Sequence, residues 1–181
     1  MKKQLVIIIF IALQLVANAK DQSLVKVFAD KTRSTITYSM NHPLHSWTGV
    51  SKEVNSVILT DVKKEKISQV AVSVRFASFD SQNANRDSHA MEVTEAITYP
   101  KINFVSKSIV ANEDKLSVIG TLTFHGVSKI ISFDVEEKKR KNTTEVTGGF
   151  EVKLTDFKIE PPSLMGLPTD DDIKISFDVF Y

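Results

Sequence analysis

Residues 173–181 read IKISFDVFY, and this stretch indicates the fold of the chain most plainly. Its apolar positions are Ile173, Ile175, Phe177, Val179 and Tyr181, and the residues between them include Lys174, Ser176 and Asp178. Alternation with a period of two is typical of a β-strand that buries one face and exposes the other to water. The end of the chain is therefore predicted to be a half-buried strand.

The same alternation recurs through most of the sequence. The repeated apolar sets are Ile36, Tyr38 and Met40; Val70, Val72, Val74 and Phe76; Leu116, Val118, Leu122 and Phe124; Ile131, Phe133 and Val135; and Val146, Phe150, Val152 and Leu154. Residues 61–66, 112–115 and 136–142 are polar connections whose charges and asparagines favour turns. Because most connections are too short for a crossover helix, the sequence predicts roughly eight or nine antiparallel strands.

One segment departs from this pattern. In residues 85–96, Asp87 could cap a helical turn that carries Met91 and Glu95 at helical spacing, before Tyr99-Pro100 restarts extended chain. We therefore expect one short helix in an all-β domain. A sheet of this size has exposed edges unless it curls shut, and the sequence permits either a barrel or a sandwich.

The first residues have the pattern of an export signal. Lys2 and Lys3 precede an apolar run over residues 5–15, and Ala17-Asn18-Ala19 provides a small-x-small cleavage site. The run is shorter than the roughly 20 residues that a membrane-spanning helix needs. We interpret residues 1–19 as a signal peptide and residues 20–181 as one mature domain, periplasmic or secreted, without stable membrane insertion.

Composition excludes several classes of function. Without Lys2 and Lys3 the 23 basic residues become 21 against 22 acidic ones, a formal net charge of −1, so bulk charge does not recruit nucleic acid or an anionic membrane. The chain has no cysteine, which excludes disulfides and thiol chemistry.

Three stretches together resemble the YceI-like family of polyisoprenoid-binding, lipocalin-like proteins. They are RDSH at residues 86–89 with YPKINF at residues 99–104; GTLTFHGVSK at residues 120–129; and residues 34–49 with His42 and Trp47-Thr48-Gly49. The resemblance implies an antiparallel, lipocalin-like β-barrel of about eight strands around a channel for an isoprenoid quinone, polyisoprenoid or related lipid. The chain departs from the family after His89, where Ala90 and Glu95-Ala96-Ile97 replace the usual leucine and pair of phenylalanines.

The ligand-binding candidates are the inward faces of the strands and an apolar loop over residues 161–168. The strand candidates are Ile36, Tyr38, Val72, Val74, Phe76, Phe104, Leu122, Phe124, Phe133, Phe150, Phe177 and Val179. In the loop, Leu164, Met165 and Leu167 could form a portal over one end of the barrel or simply plug it.

Few residues suggest covalent chemistry. His42 and His45 have metal-ligand spacing, but a site needs three or four ligands. Arg86 and Asp87 are expected to tie the helical segment to neighbouring backbone. No Gly-x-Ser-x-Gly elbow is present, and residues 170–172 read as a solvated acidic turn. The sequence therefore predicts a non-enzymatic lipid carrier without cofactor or metal. The alternatives are a solidly packed module that recruits a partner protein and, third, a histidine-based metal-binding protein; a homodimer is left open.

Exported protein should begin at Lys20, because the cleavage box ends at Ala19. Mass spectrometry of the intact protein from the periplasmic or secreted fraction checks this. Protein in that fraction that still begins at Met1 would contradict both the cleavage site and the export interpretation.

Overall fold

A computed structural model describes residues 24–181, and the predicted signal peptide and its cleavage site lie outside this range. The strands are β1 Leu24–Phe28, β2 Thr35–His42, β3 His45–Ser51, β4 Asn55–Asp61, β5 Lys66–Arg75, β6 Phe79–Asp80, β7 Lys101–Asn112, β8 Lys115–Phe124, β9 Val127–Arg140, β10 Thr143–Lys153, β11 Ser163–Leu164, β12 Leu167–Pro168 and β13 Asp172–Phe180. Within the described range a single α-helix, α1 Ala84–Val93, lies between β6 and β7, and 3₁₀ turns occupy Phe76–Ser78 and Thr155–Phe157.

Eleven strands form one antiparallel sheet in the order β1-β4-β5-β7-β8-β9-β10-β13-β2-β3-β6. The sheet curls strongly into a half-barrel, and β11 and β12 form a separate hairpin. The antiparallel, mostly β prediction is confirmed, whereas the prediction of about eight strands undercounts the sheet. The difference arises because β6 has two residues and β1 is exposed along most of its length, so neither carries a strong alternating pattern.

Two irregularities help to bend the sheet. The register shifts between Leu59 and Thr60 in the β4–β5 pair and between Ser106 and Ser108 in the β7–β8 pair. At each shift a serine hydroxyl forms a hydrogen bond with a backbone group of a neighbouring strand. Ser68 Oγ donates to Leu59 O at 2.9 Å, and Ser106 Oγ accepts the Val70 N–H at 2.9 Å. Bulges bend a strand and increase its twist, which accounts for part of the curl.

The curl brings strands from opposite parts of the sheet into contact. The Tyr181 hydroxyl, which follows β13, lies 2.5 Å from Ser56 Oγ on β4. Ser56 Oγ itself donates to Ala71 O at 3.2 Å, so Tyr181 is the donor to Ser56. The chain also crosses from one side of the sheet to the other after β5: it passes through the 3₁₀ turn Phe76–Ser78 into β6, which is the edge strand beside β3.

Helix α1 begins earlier than the sequence indicates. Asn83 is its N-cap, with its side-chain oxygen accepting the Arg86 N–H at 3.1 Å, so the proposed cap Asp87 is wrong. Asp87 lies within the first turn, and its carboxylate accepts the Ser81 N–H instead. Within residues 24–181 no helix is long and apolar enough to cross a bilayer.

Two polar segments are more ordered than predicted. Residues 136–140 continue β9 rather than forming a turn, and their charged side chains form ion pairs, as in Arg140 with Glu145 at 3.6 Å. The acidic residues 170–172 are not merely solvated. Asp171 accepts the backbone N–H and the hydroxyl of Thr155 at 2.9 and 2.6 Å, and Asp172 pairs with Lys153 at 2.8 Å.

Tyr181→Phe should make the stability of the fold less sensitive to alkaline pH. Burial raises the pKa of Tyr181 from 10.0 to about 12, so the stability that its neutral hydroxyl contributes is present below pH 10 and lost as the pH rises toward 12. The variant should be less stable by about 1 kcal/mol at neutral pH, because one hydrogen bond is missing. Between pH 10 and pH 12, the free energy of unfolding of the variant should fall by roughly 2 kcal/mol less than that of the unsubstituted protein. Urea unfolding at a series of pH values checks this, and parallel pH profiles would contradict it.

Candidate functional site

The curled sheet encloses an apolar space of about 150 Å³, called here the inner cavity. Its wall is formed by inward-facing side chains from the main sheet. The polar side-chain groups that face this space are the hydroxyls of Tyr38 and Tyr181, and the second of these is bound to Ser56. Asn103 also borders the space, but it pairs with Ser73 between the inward-facing Ile102 and Phe104, so its side chain belongs to the outer face of the sheet. The inner cavity therefore suits an apolar chain and offers few partners to a polar ligand, which would lose its hydrogen bonds to water.

The strand candidates from the sequence all lie on this wall. They are Ile36, Tyr38, Val72, Val74, Phe76, Phe104, Leu122, Phe124, Phe133, Phe150, Phe177 and Val179. The wall also contains residues that were not proposed as ligand contacts, namely Ile58, Ile67, Val70, Phe79, Ile102, Asn103, Ile109, Leu116, Val118, Val135, Val146, Val152, Ile173, Ile175 and Tyr181. The same alternation would have identified most of them. Contact of any of these residues with a ligand stays a prediction.

Aromatic side chains dominate the middle of the wall. The Phe133 ring lies 5.3 Å from Phe104, 5.0 Å from Phe150 and 5.9 Å from Phe177, measured between centroids. Phe76 stacks on Phe124 at 6.1 Å. Rings at these separations attract one another and leave few polar atoms at the surface that they present.

Inward-facing glycines allow three of the aromatic rings to lie against the backbone. Gly49 is the cross-strand partner of Tyr38, and Gly148 is the partner of Phe177. A Cβ at Gly49 would lie 2.3 Å from the Tyr38 ring, and one at Gly148 would lie 2.8 Å from the Phe177 ring. Gly120, near Phe104, would bring its Cβ to 2.3 Å from that ring. Any larger residue would push a ring toward the inner cavity.

A second space of about 430 Å³ adjoins the inner cavity and is called here the vestibule. The two share Tyr38, Phe76 and Ile173 on their walls. The rest of the vestibule wall is Met40, His42, His45, Trp47, Asn83, Asn85, Arg86, His89, Ala90, Val93, Thr94, Leu154, Ile159, Pro162, Ser163, Leu164 and Thr169. Unlike the wall of the inner cavity, the vestibule wall therefore carries polar side chains among its apolar ones.

Arg86 and Asp87 hold α1 beside the vestibule, as the sequence led us to expect. Arg86 Nε donates to Ser81 Oγ at 2.9 Å and its Nη2 donates to Ser81 O at 2.8 Å. Asp87 accepts the Ser81 N–H at 3.2 Å. Both side chains therefore fix the helix to one buried residue just after β6.

The loop over residues 161–168 forms one rim of the vestibule. His42 Nδ1 accepts the Leu44 N–H at 3.2 Å, so in the neutral ring Nε2 carries the proton and donates to Leu167 O at 3.0 Å. Leu164 lines the vestibule, but Met165 is 86% exposed at the hairpin tip and lines neither space. Leu167, 43% exposed, also lines neither space, so of the three apolar loop candidates only Leu164 faces the vestibule, and contact of the loop with a ligand stays a prediction.

The electrostatics of the vestibule come from few groups. Burial raises the pKa of the Tyr38 hydroxyl above its usual value, which keeps that group neutral where the two spaces meet. Among residues 24–181, Arg86 is the only Asp, Glu, Lys or Arg on the vestibule wall. Trp47, which the sequence did not single out for this site, lies 5.4 Å below the Arg86 guanidinium.

The described residues show no arrangement for metal-dependent chemistry. Within residues 24–181 no group of three or more His, Asp or Glu side chains could hold a metal ion. The ring centroids of His42 and His45 lie 5.4 Å apart, and both His42 nitrogens are already engaged with backbone groups. Nothing in this geometry shows catalysis.

The chain matches the YceI-like domain over residues 29–181. It is 28% identical over 171 residues to Protein YceI of Escherichia coli O157:H7, a match that covers 88% of both chains. Burkholderia cenocepacia BcnA shares the fold with a TM-score of 0.76 and 21% identity, covering 84% of this chain and 99% of that one. A polyisoprenoid binding domain from Saccharophagus degradans does so with a TM-score of 0.71 and 17% identity, covering 87% and 98%. Together with the curled antiparallel sheet and its RDSH-bearing helix, the match over nearly all described residues shows that this chain belongs to the YceI-like domain family.

Proposed function

We propose that this protein is an exported, non-enzymatic binding protein that takes a long apolar chain, such as that of an isoprenoid quinone or polyisoprenoid, into the inner cavity. The observation that carries the proposal is the enclosed apolar wall, on which the polar side-chain groups are the hydroxyls of Tyr38 and Tyr181. A wall of this kind holds a ligand by exclusion of water and by shape. The family membership supports the same conclusion, because a protein with this fold is a polyisoprenoid binding domain.

The hydrophobic effect is large enough for such a role. Each buried methylene contributes about 0.8 kcal/mol, so one five-carbon isoprenoid unit contributes about 4 kcal/mol. The loss of translational and rotational freedom on binding costs about 4 to 15 kcal/mol. A few buried units therefore outweigh that loss without any ionic contact.

The size of the inner cavity limits how the chain enters. A volume of about 150 Å³ matches the engineered apolar cavity that admits one benzene molecule, so it accommodates one end of a chain. Deeper entry requires rings such as Phe133 and Phe177 to change rotamer. The vestibule, at about 430 Å³, lies within the usual range of ligand sites and holds the part of the ligand that remains outside.

An organic extract of the protein purified from its native host should contain a prenyl lipid in an amount comparable to the protein. Liquid chromatography with mass spectrometry checks this, with a host protein of similar size purified in parallel as the control for carry-over. An extract without any apolar-chain compound above the control would contradict the proposal.

Val74→Trp should abolish lipid co-purification while the fold survives, because Val74 is 4% exposed on the inner wall and an indole there occupies ligand volume. Ser73→Trp is the matched control, since the neighbouring position on β5 points to the other face of the sheet. The melting temperature and the lipid content of both variants are measured. If Val74→Trp instead costs about 1 to 3 kcal/mol of stability and the unsubstituted protein also carries no lipid, the interior is a packed core rather than a binding site.

A further inference from the structure

We propose that the vestibule is a head-group site selective for an oxyanion, so that the preferred ligand is an apolar chain that ends in a phosphate or carboxylate. This inference rests on the proposed function and adds the chemistry of the ligand's polar end. It follows from the contrast between the two adjoining spaces. One is apolar, and the other has amide, imidazole, indole and guanidinium groups on its wall.

Continuity between the spaces places the polar end of a ligand in the vestibule. Tyr38, Phe76 and Ile173 belong to both walls, so a chain in the inner cavity leads directly into the vestibule. A polar head cannot follow the chain inward without losing its hydrogen bonds, because the inner wall has so few polar groups. The head group therefore stays among the polar residues.

The sign of the charge favours an anion. Arg86 contributes a positive charge on the vestibule wall. The Asp87 carboxylate, which binds the Ser81 N–H beside it, offsets part of that charge, but no carboxylate from residues 24–181 lines the vestibule itself. Two guanidinium N–H groups are used on Ser81, and the donors on Nη1 are left for another acceptor. Because Ser81 and Trp47 already fix the guanidinium, it needs little reorganisation to bind an oxyanion.

Further hydrogen-bond donors surround this charge. Asn85, His45 and His89 are exposed side chains on the same wall, and each can donate a hydrogen bond to oxygen. Thr169, also on this wall, is 9% exposed, and its Oγ1 is buried without a hydrogen-bond partner among the described residues. A buried hydroxyl without a partner is unfavourable, and a small shift of this side chain would offer the hydroxyl to a polar group in the vestibule.

The test uses three probes with one tail and different heads: farnesyl phosphate, farnesol and farnesylamine. Affinities are measured by titration calorimetry with the full mature chain. We expect farnesyl phosphate to bind about tenfold more tightly than farnesol, as one charge-assisted hydrogen bond allows, and farnesylamine to bind most weakly.

Two variants probe the vestibule and one serves as a control. Arg86→Gln should remove the preference for phosphate over farnesol. Asn85→Asp is nearly isosteric, leaves the Arg86–Ser81 contacts in place and adds a negative charge in the first turn of α1, where helices tolerate it. It should reduce that preference roughly threefold even if Arg86→Gln fails to fold. Arg140→Gln makes the same change in net charge at the β9–β10 turn, lines neither space and should keep the preference.

The outcomes separate the two proposals. Equal binding of all three probes, or a preference that Asn85→Asp leaves unchanged, overturns the oxyanion site and leaves the carrier function standing. Loss of the preference in Arg140→Gln as well would show that net charge rather than the vestibule is responsible, and also overturns it. Failure of every probe to bind overturns both the carrier function and this inference.

Discussion

The interior of this protein depends on aromatic rings that lie against glycine. Where Tyr38, Phe104 and Phe177 cross Gly49, Gly120 and Gly148, each ring occupies the space in which a Cβ would otherwise stand. The rings thereby lie closer to the sheet, and a space of about 150 Å³ remains beside them. A curled antiparallel sheet with larger residues at these glycines would direct the same rings inward and become an ordinary packed core. Glycine weakens a strand, so its use at these positions exchanges some local stability for enclosed space.

The curl itself has a similar local origin. Serine hydroxyls at two bulges take over hydrogen bonds where the β-ladder shifts, and the Tyr181–Ser56 contact joins β13 to β4 across the interior. These polar contacts lie in the wall of the sheet or at its end. The enclosed surface is left to apolar groups, which explains how a sheet with many hydroxyl side chains encloses a space with so few hydrogen-bonding groups.

Helix α1 and the β11–β12 hairpin give the site its polarity. The helix contributes little to the core, since none of its residues is buried. Its position is set by Arg86 and Asp87, which both bind Ser81, and the hairpin is held by His42 through Leu167 O. The same groups that hold these elements place polar side chains on the vestibule wall. Arg86 therefore holds the helix in place, and the proposed head-group site would use its remaining donors.

Much of the fold could be read from residues 173–181 and the stretches that repeat their alternation, because a period of two assigns every second side chain to one face. That rule by itself predicts that Val74, Phe133 and Phe177 lie on the inward faces of their strands. It could not count β6 or β1, or identify Asn83 as the cap of α1, because short or exposed segments carry little pattern.

The vestibule was decided only by the tertiary structure. Trp47, Arg86 and Thr169 come from separate parts of the chain, and no spacing in the sequence relates them. Likewise, alternation assigns a side chain to a face but does not say whether that face is filled or hollow. The sequence by itself determined the antiparallel strands and their apolar face, since those follow from local periodicity. The cavity and its polar entrance depend on the curl, the bulges and long-range contacts between segments distant along the chain, which only the folded structure brings together.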